Sequence, residues 1–538
     1  MLRSRWILPA LILTALILRM QGLNWDSGRG LHPDEGNLVR AAASLGWGKL
    51  IPDFHAYNDL ALWLPKLAAL PFCDTTSEHC LRLTARALSA LFSTAAVWAM
   101  AVLAGRLAGR GAALATALAA GTSAPLIQWA HFGTTESALV LLVASLWLLT
   151  VRWQQGAVGT TGMALGTALL LGLGFGLKTS ALMMGVIPLI ALVLAGRPDA
   201  ARLRALVWAV PLTVLVAVAA TPSTIFATQD WLATMRFESG VVTGTVPVFW
   251  TRQFHDISGP AFQLRQLWGG TAGVGLLLGL VGLILAPRGV WRCLAPGLGF
   301  AVLYAGLTFG WHAAFFRYLA PLFPIALVCA GIGVAQVFDR VPSQSARALA
   351  GAGLGFIALT GLDLAASYQA SDPRVLAEAD LTARARPGDV VAVEPRDTAL
   401  TGGLETVVLP LDGDDPMAIA TGLAGANWLL VASRRNWAVL PRVPDEAPLG
   451  CGYYLALLRG ELGFRPVATF RRAAPFGALL EPGLQGEETR TVFDRPTLYL
   501  LRNETRLDAA TLAARIAAPA NAEDCAPQAL AALWERTR

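Results

Sequence analysis

Charge is what this chain has least of. Only 14% of its 538 residues are Asp, Glu, Lys or Arg, while 55% are hydrophobic. A soluble globule could not hide so much apolar surface behind so few charges. Lysine occurs three times, at Lys49, Lys66 and Lys178. Cysteine and histidine occur six times each, which excludes a disulfide scaffold. No zinc-ligand spacing, nucleophile elbow or phosphate-binding glycine loop is present. Gly172-Leu-Gly-Phe-Gly176 lies in an apolar run with no strand before it, so it is not a nucleotide site. The apolar composition excludes disorder. The lack of a long internal repeat argues against a solenoid or a transporter made of duplicated halves. What remains is a polytopic membrane protein, mostly α-helical.

A span needs about 20 mostly apolar residues. Eleven runs qualify, at about 6–24, 82–104, 112–130, 136–152, 160–177, 180–196, 204–221, 267–286, 293–311, 318–337 and 347–367. One set of alternating loops holds Arg3, Arg5, Arg106, Arg110, Arg152, Arg197, Arg202, Arg204, Arg288, Arg292, Arg340 and Arg347, against only Asp199 and Asp339. The positive-inside rule makes these loops cytoplasmic. It puts the N-terminus inside and, with an odd span count, the C-terminal domain outside. The first run ends in Arg19-Met-Gln-Gly-Leu-Asn24 without a small-x-small cleavage site, so it reads as a retained span. All six histidines then fall on the outer side, as do Cys73, Cys80, Cys451 and Cys525. The disulfides this allows are Cys73–Cys80 and Cys451–Cys525, with four free thiols as the alternative. Glycine pairs at spacing four, Gly172/Gly176, Gly275/Gly279 and Gly351/Gly355, predict close helix packing.

The net charge of +6 averages two unlike parts. Residues 1–367 carry 24 basic against 14 acidic side chains, and residues 368–538 carry 18 against 22. The basic balance belongs to the membrane part and does not indicate a nucleic-acid partner. Residues 1–367 thus read as a transmembrane module with long outer loops at 25–81 and 222–266. Residues 368–506 read as an extracytoplasmic α/β domain, and 507–538 as a helical tail. Strand-like runs at Val390–Val393, Thr406–Leu409, Trp428–Ala432, Val467–Phe470 and Leu498–Leu501 alternate with helical stretches at Pro373–Arg386, Met417–Leu423 and Tyr453–Leu462. Asn503-Glu-Thr505 is a glycosylation sequon.

Scarce charges at the outer ends of apolar runs are the candidates for chemistry. Asp34 and Glu35 follow the first span. Adjacent acids there suit base work on an acceptor hydroxyl, with a divalent cation as an option shared with Glu136. They equally suit the first turn of a helix with Pro33 at its first position. Glu136 opens the fourth span, where an acid is costly unless paired, hydrated or working. Lys178 and Arg317-Tyr318 place cations at outer helix ends, suited to a lipid phosphate or to snorkelling. His131, His255 and Glu238 are possible acceptor or sugar contacts. The aromatics beside the last two, Trp231, Phe237, Phe249 and Trp250, equally suit an interface belt.

In joint order these motifs resemble the GT-C glycosyltransferases that use polyprenyl-phosphate sugars, above all the protein O-mannosyltransferases and the bacterial aminoarabinose transferases. The residues carrying the resemblance are Asp34-Glu35, Arg82-Leu-Thr-Ala-Arg86, His131-Phe-Gly-Thr-Thr-Glu136, Gly174-Phe-Gly-Leu-Lys178, Phe316-Arg-Tyr-Leu-Ala-Pro321, Tyr453–Gly463 and Thr491-Val-Phe-Asp-Arg-Pro496. The resemblance implies an inverting transfer from a polyprenyl-phosphate-linked sugar to a lipid, glycan or protein acceptor. It gives Asp34 as base, Glu136 as the second-loop acid, and Lys178 and Arg317 at the phosphate. No obligatory cofactor is implied. The expected location is a bacterial inner membrane with a periplasmic site. The alternatives are a lipid or solute transporter or flippase, and a non-catalytic scaffold or receptor.

Overall fold

A computed structural model describes residues 5–196, 200–398, 400–472, 487–521 and 523–536. Arg3, Arg197 and Asp199 of the predicted inner loops lie outside the described residues. The chain divides into two units. The first comprises residues 1–24, 32–243 and 259–366; the second comprises 25–31, 244–258 and 367–538.

The first unit is a helix bundle. Among the described residues, six helices are long and apolar enough to cross a membrane: Glu78–Gly121, Glu136–Gln154, Thr160–Leu177, Arg288–Thr308, Phe316–Arg340 and Gln344–Ser367. Gly259–Gly270 and Val274–Leu285, bent by 90° at their junction, make a seventh if counted as one span. The chain is an integral membrane protein. These helices do not confirm the expected count of eleven spans, although every predicted run is helical. The first run forms only Ile7–Met20. The run 180–196 is a 3-10 turn, Thr179–Gly185, followed by Val186–Leu194. The run 204–221 forms Ala200–Ala220, whose apolar part is Val207–Ala220. Glu78–Gly121 has 44 residues, about 66 Å if straight, twice the bilayer core. Its backbone breaks at Ala108 and at Gly109, where φ is +81°, so the predicted 82–104 span ends there. The predicted 112–130 span breaks again at Thr122–Ser123 before Ala124–Ala130.

Small residues let these helices touch. A Cβ on Gly172 would lie 2.5 Å from Val216, and one on Gly176 would lie 2.5 Å from Ala220. Gly282 and Gly333 bring two further backbones together, with Gly333 facing the Leu278 carbonyl. Gly351 and Gly355 meet nothing within 4 Å, so that pair is not a packing stripe. Arg19 is fully buried and reaches Ser93 Oγ at 2.8 Å and the carbonyls of Ala15, Ala120 and Gly121 at 2.9, 3.0 and 2.7 Å. It thereby caps the C-terminal end of the Glu78–Gly121 helix, where a cation is favoured.

The second unit is a five-stranded sheet, β1 (Val390–Val393), β2 (Glu405–Val408), β3 (Trp428–Val431), β4 (Phe464–Arg471) and β5 (Thr497–Asn503), in the order β2-β1-β3-β5-β4. β1 pairs in parallel with β2 and β3, and β5 pairs antiparallel with β3 and β4. All four residues of β3 are buried, as expected for a strand covered on both faces. Residues 507–538 are not a separate tail. Leu512, Ile516, Leu530 and Trp534 enter the same core, Trp534 stacks on Tyr499 at 3.8 Å, and a disulfide joins Cys451 to Cys525. Asn503 of the sequon is buried, and its amide donates to the Ala426 carbonyl at 2.9 Å, so glycosylation would require this strand end to open.

Glu394, just after β1, is fully buried beside Tyr453 (3.3 Å) and Asn436 (3.4 Å). Burial pushes its carboxyl up to about 8 from the ordinary 4.5. The folded state therefore holds a proton that the unfolded chain releases. Stability contributed by this group is complete below about pH 4.5 and declines as pH rises toward 8. Melting temperatures measured across that window should fall for the wild type, and Glu394→Gln should flatten the decline. An unchanged slope in the variant would rule Glu394 out as its source.

Candidate active site

The helix Pro33–Ser44 begins as its sequence dictates. His32 caps it, with Nδ1 accepting from the Glu35 backbone N–H at 3.3 Å, and Pro33 takes the first position. Asp34 and Glu35 fall in the first turn and point to different partners. Asp34 Oδ2 lies 3.1 Å from Arg317 Nη1. Arg317 comes from the 3-10 turn Phe316–Leu322, which leads into Phe323–Arg340. Its guanidinium stacks on Phe315 at 4.2 Å.

A second ion pair stands beside the first. Lys178 ends the Thr160–Leu177 helix, and its Nζ lies 3.7 Å from Glu136 Oε1 at the start of Glu136–Gln154. The same Nζ sits 5.5 Å from the Tyr57 ring and 5.8 Å from the Tyr318 ring, so one aromatic pair flanks the ammonium. Tyr318 is fixed from behind by Tyr304, whose hydroxyl donates to the Tyr318 carbonyl at 2.9 Å. The first loop holds Tyr57 in place. Asn58 donates to the Phe175 carbonyl and to Thr179 and accepts from Trp231 Nε1 at 2.9 Å, while Asp59 accepts from Ser223 at 2.7 and 2.8 Å.

Asp34, Arg317 and Lys178 keep 26, 18 and 23% of their side chains exposed, against 3% for Glu136. A ligand could therefore reach the first three directly. Burial raises the Tyr57 phenol well above its ordinary value, reinforced by Asp34 and Glu136, so it remains a neutral donor. Burial also raises the Glu238 carboxyl, with Asp34 adding and Arg317 and Lys178 opposing. Glu238, on the Thr228–Thr243 helix, thus lies within electrostatic reach of both cations. The cluster offers two cations, an acceptor oxygen and a neutral phenol at converging helix ends, a set suited to an anionic group next to a hydroxyl.

No protein-family model matches the chain, and no curated protein matches it in sequence. Solved structures do match. Against the crystal structure of ArnT from Cupriavidus metallidurans in the apo state the TM-score is 0.50 at 13% identity, over 97% of this chain and 100% of that one. The fold is that of this ArnT structure. Two further structures are similar at lower scores. ArnT bound to undecaprenyl phosphate gives 0.49 at 13% identity, covering 96% of this chain and 100% of that one. The archaeal oligosaccharyltransferase AglB from Archaeoglobus fulgidus, in complex with an inhibitory peptide and a dolichol-phosphate, gives 0.48 at 12%, covering 84% and 72%.

Within this fold, three residues picked from the sequence have other partners. Glu35 is fully buried. Arg86 grips it at 2.6 and 2.9 Å, Arg82 lies at 3.4 Å, and the Gly133 N–H donates at 2.7 Å. It holds the loop and has no oxygen to spare for an acceptor or a metal. His131 is buried with its ring nitrogens 2.8 Å from the Ile127 and Gln21 carbonyls, so it ties backbone segments together. His255 belongs to the second unit and pairs with Asp256 at 3.0 Å. Among the described residues no group of three or more His, Cys, Asp or Glu side chains is arranged to hold a metal ion, and the predicted trio of Asp34, Glu35 and Glu136 is not assembled as one. Cys73, after the Asp59–Ala69 helix, is joined to Cys80 in the first turn of the Glu78–Gly121 helix. Sequence reasoning missed Tyr57, which carries no motif of its own and reaches the cluster only through the contacts of Asn58.

Proposed function

We propose that this protein transfers a sugar from a polyprenyl-phosphate donor to an acceptor hydroxyl at the outer face of a bacterial inner membrane, with inversion at the anomeric carbon. The observation that carries the reading is the convergence of Asp34, Arg317, Lys178 and Glu136 from four separate segments. The GT-C fold supports the reaction class. The arginine-rich loops support a cytoplasmic N-terminus and a periplasmic second unit.

In the proposed step the donor phosphate lies against Arg317 and Lys178. Asp34 takes the proton of the acceptor hydroxyl as its oxygen bonds to the anomeric carbon. The bond from that carbon to the phosphate oxygen breaks, and the lipid leaves as a phosphate with one more negative charge. The transition state has oxocarbenium character. The two cations oppose the charge that grows on the leaving oxygen. Glu136 fixes Lys178, and the neutral Tyr57 hydroxyl donates to the phosphate or the sugar. A transporter reading is disfavoured because the charged cluster sits at helix ends, away from the bilayer midplane.

The test is release of polyprenyl phosphate by the purified protein in liposomes, given a panel of polyprenyl-phosphate sugars and native membranes as acceptor. Wild type is expected to release lipid phosphate from at least one donor. Lys178→Ala should slow release about 10²-fold, the cost of one charge-stabilising donor. No release from any donor, or an unimpaired Lys178→Ala, would sink the proposal.

A further inference from the structure

The helices Thr160–Leu177 and Ala200–Ala220 pack side by side. Gly172 meets Val216 and Gly176 meets Ala220. Both contacts have the same offset in sequence, so the helices run parallel, and both glycines bring them close near the Lys178 end. Toward the opposite end the two helices line a cavity of about 550 Å³ formed by Thr161, Ala164, Leu165, Arg204, Trp208, Ala209 and Leu212. The eighteen residues from Thr160 to Leu177 rise about 27 Å, close to the thickness of a bilayer core. The wedge therefore lies at the leaflet opposite the candidate active site and is separate from it.

Its lining is graded. Leu165, Ala164, Ala209 and Leu212 are apolar. Thr161 stands in the first turn of its helix and Arg204 at the start of the second turn of its own, and Trp208 lies one turn further in, 69% exposed. Among the described residues the lining holds one charged side chain, Arg204, and no acid. Arg204 itself is exposed. An apolar slot that ends in a guanidinium, a hydroxyl and an indole at interfacial depth matches one kind of molecule, an amphiphile with an anionic head.

We propose that this wedge is a binding site for an anionic phospholipid. Its phosphate pairs with Arg204, and one acyl chain lies between the two helices. The volume suits one chain with its phosphate and leaves the second chain in the surrounding bilayer. The occupant is taken from the leaflet itself, so the site fills without any soluble ligand.

The experiment is native mass spectrometry of the full chain in a zwitterionic detergent, titrated separately with phosphatidylglycerol and phosphatidylcholine. Wild type is expected to hold one phosphatidylglycerol in preference to phosphatidylcholine. Arg204→Gln should weaken phosphatidylglycerol binding about fivefold, the worth of one basic residue at an anionic headgroup, while Arg204→Lys keeps the preference. Ala209→Phe, which fills the slot, should reduce binding of both lipids. Equal binding of the two lipids by wild type, or an undiminished preference in Arg204→Gln, overturns the proposal. Displacement of the lipid by inorganic phosphate, or tighter retention of polyprenyl phosphate, overturns it too, by assigning the wedge to a free anion or to the donor.

Discussion

Asp34→Asn should lower the rate of sugar transfer by about 10² to 10⁴-fold, the usual worth of a positioned general base, while leaving donor binding in place. The amide keeps the size of the carboxylate 3.1 Å from Arg317, but it cannot accept a proton at neutral pH. Donor affinity, read from retention of a labelled polyprenyl-phosphate sugar, should stay within a few-fold of wild type, because the phosphate partners are Arg317 and Lys178. Equal transfer by variant and wild type would remove Asp34 as the base and leave Glu136 and Glu238 as the remaining acids near the cations. A variant that loses transfer and donor retention together would instead assign Asp34 to holding Arg317.

Its neighbour should behave in the opposite way. Glu35→Ala, or Arg86→Ala, should destabilise the protein by about 3–5 kcal/mol, because either change strands a buried charge whose partner has gone. Glu35 is gripped by Arg86 at two points and by the Gly133 N–H, all out of contact with solvent. Thermal unfolding in detergent is the measurement. A large drop in melting temperature with loss of activity in proportion to folded protein is expected. A variant that melts as wild type but no longer transfers sugar would return Glu35 to the chemistry. Replacing both partners with apolar residues of similar volume should recover part of the loss.

These two acids show where the sequence was legible and where it was not. In a chain with so few charges, each acid or cation at the end of an apolar run stands out. Asp34, Glu136, Lys178 and Arg317 could be picked for that reason alone, and the structure brings those four together. Adjacent acids in one helical turn look alike in sequence. Which of them faces the reaction depends on Arg86, 51 residues away. His131 reads as a hydrogen-bonded interface residue at least as well as a ligand for a related cause, since its partners are backbone carbonyls that no motif announces. The strands of the second unit were legible because short apolar runs between turn residues leave little choice. The span count was not, because a hydropathy run does not reveal that Thr179–Gly185 winds as a 3-10 turn or that the chain bends by 90° after Gly270. The residues after 506 read as a tail because their apolar positions gain meaning only from the sheet that they cover.

The contact between Arg317 and Asp34 also bears on the order of events in a turnover. On the proposed reading the resting protein presents its base already occupied, with a guanidinium across one carboxylate oxygen. An acceptor arriving first finds a base whose negative charge is held by Arg317. A lipid phosphate arriving first competes for the guanidinium and releases that oxygen. Steady-state kinetics should then follow a compulsory sequence, donor before acceptor, and water should be a poor nucleophile in the idle enzyme. The ion pair would act as an interlock, holding the base back until a donor phosphate has taken over its guanidinium.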